Sequence, residues 1–220
     1  ILVLGGNGML GHQFFRIWRK NHDVKVTLRR DLDSYREYGL FNDTNSFTNI
    51  DIRSVDLLER VIGQFDPGAV VNAVGVTKQL IDSSNPVPSI ETNSLFPHNL
   101  AKICERLGVR MIHLSSDCVF SGKKGFYSEG DISDAEDLYG RSKYFGEVNS
   151  PHVVTIRKST LGLELSGAHG LIEWFLAQKG PVKGFRNAIY SGLISSELAH
   201  VIERILLKHM DLSGVWNLAS

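Results

Sequence analysis

Ile1-Leu2-Val3-Leu4-Gly5-Gly6-Asn7-Gly8-Met9-Leu10-Gly11 is the stretch that decides the fold. Its opening apolar run reads as a strand buried on both faces. The glycines after it permit a tight turn, and Leu10, Phe14, Ile17 and Trp18 then recur at the spacing of one helical face. Strand, turn and helix in that order form the setting that a dinucleotide-binding glycine motif requires, because the turn brings backbone N–H groups at a helix start against a pyrophosphate. Gly5, Asn7, Gly8, Met9, Leu10 and Gly11 are therefore expected to line a cofactor cradle.

Outward from this unit, short apolar runs alternate with helical patterns. Strands are predicted at Val24–Leu28, Thr48–Asp51, Ala69–Gly75 and Val109–Leu114. Helices are predicted through Leu57, Leu58, Val61, Ile62 and Phe65, stopping near Pro67-Gly68, and from Ile90 to Leu107, closed by Gly108. The polar stretch between Asp31 and Asn45 carries no clear pattern. The alternation implies a doubly wound α/β domain, a parallel Rossmann sheet covered by helices on both faces. Residues 1–157 are expected to form the NAD(P)-binding domain. After Arg157 the pattern loosens, and residues 158–220 are expected to give substrate-lobe segments interleaved with the end of the sheet. Within them, Gly170 to Ile205 is expected to supply helices to a small lobe over the carboxyl edge, where ligands bind in open α/β sheets.

Composition narrows the function. The 220 residues carry 24 basic and 24 acidic side chains, a balance that argues against nonspecific nucleic-acid binding. No stretch approaches the roughly 20 apolar residues needed to cross a bilayer, and no signal-peptide pattern precedes the first strand. A soluble, cytoplasmic protein with no membrane partner is expected. The two cysteines, Cys104 and Cys118, lack a metal-ligand spacing, and the eight histidines are scattered, so no metal is assigned.

Tyr139 and Lys143 stand four residues apart in Asp137-Leu138-Tyr139-Gly140-Arg141-Ser142-Lys143, which puts both on one helical face. A free phenol has a pKa of about 10, and a neighbouring ammonium is expected to pull it toward neutrality, as a proton donor to a carbonyl needs. Ser116 follows a strand, so its hydroxyl reads as an oxyanion-stabilising group or as a helix cap. The second strand ends in Leu28-Arg29-Arg30. Arginine there pairs with a ribose 2′-phosphate, which favours NADP, while Asp31 directly after it leaves NAD open.

With those residues in order, the chain resembles the extended short-chain dehydrogenase/reductase family, and most of all its sugar-nucleotide reductase/epimerase branch, to which dTDP-4-dehydrorhamnose reductase belongs. Gly5, Gly8 and Gly11 fit the family's glycine spacing, Asp51-Ile52 fits its adenine-contacting position, and Asn72-Ala73-Val74 fits the motif after the fourth strand. Leu114-Ser115-Ser116-Asp117-Cys118-Val119-Phe120 resembles the branch's Ser-Thr-Asp-Tyr-Val-Phe segment, and Tyr139-Gly140-Arg141-Ser142-Lys143 completes the set. The resemblance implies an NAD(P)-dependent oxidoreductase of polysaccharide biosynthesis that reduces a keto sugar carried on a nucleotide diphosphate. Tyr139 would be the acid, Lys143 its tuning amine and ribose ligand, and Ser116 the holder of the substrate oxygen. Asn93 reads equally as the helix asparagine that orders water beside the lysine in relatives or as a plain polar helix residue.

For the substrate, Lys78 and Gln79 on the loop after the fourth strand, Cys118, and Arg186 in Lys183-Gly184-Phe185-Arg186-Asn187 are the candidates. Cys118 stands where the rhamnose-pathway enzymes usually have tyrosine. The oligomeric state stays open, and since relatives commonly dimerise through helices, the resemblance allows a homodimer. They also extend beyond a position like Ser220, so the lobe is expected to be incomplete. Two other readings stay open: an epimerase or dehydratase that recycles its cofactor, and a non-catalytic regulatory subunit of the same fold.

Overall fold

A computed structural model of the chain describes residues 1–80, 85–167 and 170–220. Seven parallel strands form the central sheet in the order β3-β2-β1-β4-β5-β6-β9. They are β1 (Leu2–Leu4), β2 (Lys25–Thr27), β3 (Ser46–Phe47), β4 (Ala69–Asn72), β5 (Arg110–Leu114), β6 (Val153–Lys158) and β9 (Gly214–Leu218). The order reverses between β1 and β4, so the turns after these two strands flank the crevice in which doubly wound sheets bind ligands. Two further strands, β7 (Thr160–Leu161) and β8 (Leu193–Ile194), pair with each other outside the main sheet.

Side-chain alternation along each strand divides the core between two faces. Val3, Val71, Ile112, Leu114, Val154 and Ile156 pack with Phe14, Phe15 and Trp18 of α1 (Met9–Trp18) and with Leu198, Ala199 and Ile202 of α7 (Ser195–Lys208). Leu2, Leu4, Val70, Met111 and Val153 face α2 (Val55–Phe65) and α4 (Phe96–Arg106). Burying a large apolar side chain completely contributes about 1.5–3 kcal/mol, and Phe14, Phe15 and Trp18 on α1 are all at 0% exposure. Among the described residues the remaining α-helices are α3 (Val87–Ser89), α5 (Leu138–Phe145) and α6 (Leu171–Leu176). Among the described residues no helix is long and apolar enough to cross a membrane.

Four expectations need correction. The third strand falls on Ser46–Phe47 rather than on Thr48–Asp51, because Asn49 takes a left-handed φ of 56° that breaks the extended run. β4 ends at Asn72 rather than Gly75, since the Asn72 side chain accepts the Val74 N–H at 3.1 Å in place of a neighbouring strand. The long helix starts earlier, at Val87, and is not uniform. Residues Ile90–Leu95 form a π turn between α3 and α4, a widening that occurs preferentially at functional sites. Finally, α7 does not cover the carboxyl edge. It lies along α1, with the Trp18 indole N–H donating to the Ala199 carbonyl at 3.1 Å, and leads into β9 as an integral layer of the sheet.

Candidate active site

The cradle at the amino end of α1 is shaped by two glycines. Gly5 has φ +82°, and a Cβ on Gly11 would sit 2.1 Å from the Gly5 carbonyl oxygen, so the turn closes only without side chains. Thr27 anchors it from β2: its hydroxyl accepts the Gly5 N–H at 3.1 Å and its carbonyl accepts the Gly6 N–H at 2.9 Å. No side chain caps α1 at Gly8, which leaves the helix start to meet an anion with its backbone N–H groups and dipole. Asn7, Met9 and Leu10 complete this turn. The donor set fits a dinucleotide pyrophosphate.

On the adenosine side, Arg29 and Arg30 are exposed at the end of β2. Asp31 is occupied, because its carboxylate accepts the Ser34 N–H at 3.0 Å and the Ser34 hydroxyl at 2.8 Å. Asp51 is bound to Arg53 at 2.6 Å, which holds its carboxyl down to about 2, and Ile52 packs against the core beside it.

Across the crevice, Asn72 is fully buried and spans β4 and β5. Its Oδ1 accepts from Val74, so its Nδ2 is a donor and the His113 Nδ1 at 3.1 Å must accept. His113 is thereby neutral, and burial holds it well below its ordinary range. Ala73 N–H donates to Leu4 O at 3.2 Å, tying the motif after β4 to β1. Asn93, on the π turn, clamps the next residues: its Oδ1 accepts the Val76 N–H at 2.9 Å and its Nδ2 donates to Val76 O at 3.0 Å and to the Ser142 hydroxyl at 3.2 Å. These contacts join the β4 loop to α5.

The three predicted catalytic residues meet at the carboxyl edge of β5. Asp137 caps α5 by accepting the Gly140 N–H at 2.7 Å. The helix then lies so close to Cys118 that a Cβ on Gly140 would be 2.2 Å from the Cys118 carbonyl oxygen. Ser116 Oγ accepts the Cys118 N–H at 3.1 Å and its hydroxyl also interacts with the Tyr139 phenol. Lys143 is buried and donates to the Leu114 carbonyl at 2.7 Å.

The electrostatics differ from the expected pull of Lys143 on Tyr139. Burial pushes the phenol up to about 12, with Ser116 the one group that opposes it and the Cys118, Asp117 and Asp137 charges adding to it. Lys143 is itself driven down to about 7, first by burial and then by Lys158, against Glu147. Desolvation is the leading cause for both groups, and an amine near pKa 7 carries only part of its charge at neutral pH.

The substrate candidates are scattered. The Lys78 ammonium pairs with Asp137 at 2.6 Å, so it braces the cap of α5. Gln79 is exposed beside it in a 3₁₀ turn. Cys118 faces Ser116, Lys78 and Asp137, with its thiol pushed up by burial. Arg186 is exposed among residues 182–190, outside this cluster. Two participants escape the sequence patterns. A buried ion pair joins Arg157 to Glu147 at 2.8 Å, with Glu147 also accepting from Ser115 at 2.9 Å and Arg157 lying over Phe120 at 4.9 Å. Lys158 ends β6 beside them. Neither has a motif, since each depends on which strands become neighbours.

A family model described as RmlD substrate binding domain matches residues 1–161. Among curated proteins, the chain is 31% identical to the probable low-salt glycan biosynthesis reductase Agl14 of Haloferax volcanii over 76% of its own length and 53% of that protein. It is 28% identical to the methionine adenosyltransferase 2 subunit beta of Bos taurus, over 67% of this chain and 41% of that one. It is 26% identical to a dTDP-4-dehydrorhamnose reductase of Aggregatibacter actinomycetemcomitans, over 99% and 72%. The chain thus spans about half the length of the first two relatives. Among solved structures, a hypothetical dTDP-4-dehydrorhamnose reductase from Sulfolobus tokodaii superposes with a TM-score of 0.79 at 22% identity, over 100% of this chain and 76% of that one, a likeness of fold.

Proposed function

The chain belongs to the RmlD substrate binding domain family, and on that premise we propose that it is an NADPH-dependent reductase of a keto sugar attached to a nucleotide diphosphate, built on the extended short-chain dehydrogenase/reductase plan. The observation that carries the proposal is the convergence of Ser116, Tyr139 and Lys143 at the carboxyl edge of β5, across the crevice from an uncapped helix start.

When held on the α1 turn, NADPH would supply the hydride. The N–H groups of the turn would hold its pyrophosphate and Arg29 and Arg30 its 2′-phosphate, a choice supported by the occupied Asp31 carboxylate. Ser116 hydrogen-bonds the substrate carbonyl oxygen, and Tyr139, kept protonated by its raised pKa, delivers the proton to that oxygen as negative charge builds on it. Lys143, anchored on Leu114, is the amine that reprotonates the phenol. Residues 1–157 hold the cofactor in this reading, and segments within 158–220 hold the sugar. A homodimer and a cytoplasmic setting belong to the same proposal.

The test is direct. Purified protein is titrated with NADPH by fluorescence, then given dTDP-linked and UDP-linked 4-keto-6-deoxy sugars. NADPH binding followed by one-for-one oxidation supports the proposal, and absence of binding refutes it. Turnover without net NADPH loss would identify an epimerase or dehydratase. The likeness to a methionine adenosyltransferase subunit favours a second reading, a partner-binding subunit without chemistry, and the complete Ser116, Tyr139 and Lys143 set weighs against it.

A further inference from the structure

Lys158 closes β6 at the carboxyl edge of the sheet. The β5–β6 ladder ends with Leu114 opposite Ile156, and the Ser115 N–H donates to Ile156 O at 2.8 Å. Two residues beyond that pair on each strand, Ser116 and Lys158 come side by side. Alternation carries the Lys158 side chain to the face of Val154 and Ile156, which is the α1 face that the cofactor cradle opens on.

The Lys158 ammonium makes no hydrogen bond or ion pair among the described residues. Burial holds it below the ordinary lysine range, against the pull of Asp117 and Cys118, and it in turn repels Lys143. The Tyr190 phenol, hydrogen-bonded to Ser159, is acted on by the same Asp117 and Cys118 and so lies near them. Next to Ser116, the Lys158 ammonium thus feels the Asp117 carboxylate without forming an ion pair with it. Lys158 is half-buried at the strand end, and a ligand that brings a negative oxygen would give its unpartnered ammonium a counter-charge.

We propose that Lys158 is a specificity-determining residue of the sugar subsite, selecting nucleotide sugars whose ring carries a carboxylate. This rests on the keto-sugar reading of the site and adds the chemical class of the sugar. Ser116 then holds the reacting carbonyl while Lys158, one strand over, holds the carboxylate.

Calorimetry on the protein saturated with NADP tests it with UDP-glucuronate against UDP-glucose, and with the dTDP pair to separate the effect of the base. Wild-type protein should bind the uronate at least tenfold more tightly than the matching neutral sugar. Lys158→Met and Lys158→Gln should each abolish that preference, and Lys158→Arg should keep most of it, with NADPH affinity unchanged throughout. Equal affinity for the two sugars in the wild type, or a preference that survives in both Lys158→Met and Lys158→Gln, overturns the assignment. If NADPH binds but none of the four nucleotide sugars does, the keto-sugar reading falls and this inference falls with it.

Discussion

The Lys143 ammonium is bonded at 2.7 Å to the carbonyl of Leu114, so α5 is tied to the end of the strand whose next turn carries Ser116. The bond fixes the amine at the strand's carboxyl end, in a place where burial has already lowered its pKa to about 7.

A pH-dependent stability follows from that lowered value. Unfolded Lys143 binds its proton up to about pH 10.4, while the folded chain has released it above about 7. Between these values the unfolded state holds more protons, so the stability penalty of the buried amine is relieved as pH rises. Lys158, also lowered, adds in the same direction. Thermal melts of wild type and Lys143→Met should therefore differ most in favour of the methionine variant at pH 7, with the gap closing by pH 9.5. A gap independent of pH would mean that Lys143 keeps its charge in the folded chain.

Tyr139→Phe keeps the ring and removes the proton. Turnover should fall by about 10²–10⁴-fold, the usual share of a positioned acid, while NADPH affinity stays within about twofold by the fluorescence titration. Retained turnover would show that another group protonates the substrate.

Replacing Gly11 by alanine drives a methyl into the Gly5 carbonyl at 2.1 Å. A loss of about 1–3 kcal/mol in urea unfolding is expected, with loss of NADPH binding. Gly63→Ala is the opposite case: a Cβ there meets nothing within 4 Å inside α2, so a gain of about 0.5–1 kcal/mol is expected.

The Arg157–Glu147 pair has both side chains 6% exposed. Arg157→Met alone leaves a buried carboxylate unpaired and should cost about 3–5 kcal/mol, whereas the double variant Arg157→Met/Glu147→Met should cost distinctly less. Urea unfolding of the four proteins reads the difference.

Cofactor choice is tested at the end of β2. Arg29→Ala/Arg30→Ala should weaken NADPH by at least about tenfold, as loss of a charge-assisted contact of about 1.5–3 kcal/mol implies, and leave NADH affinity unchanged.

The sheet was legible because its signals are local. The apolar run before Gly5, the Phe14–Trp18 face and the valine-rich Ala69–Asn72 each specify their element without help from distant residues. Boundaries were harder where a side chain ends a strand, as Asn72 does by capturing Val74. The site was readable where spacing carries it, as with Tyr139 and Lys143. It was opaque where tertiary pairing does: α7 reads as a lobe helix until Ala199 is seen to meet Trp18, residues 181 positions apart. The electrostatics of Tyr139 and Lys143 escape the sequence for the same reason, since helical spacing reports proximity and not burial.

β9 lies outside β6 in the sheet, and residues 159–213 intervene between the two. During synthesis on the ribosome, β6 therefore emerges and pairs with β5 while its other edge stays bare, inviting pairing with another chain until residues 214–218 arrive. A stop codon anywhere before Gly214 should yield a protein that aggregates rather than one that merely lacks a lobe.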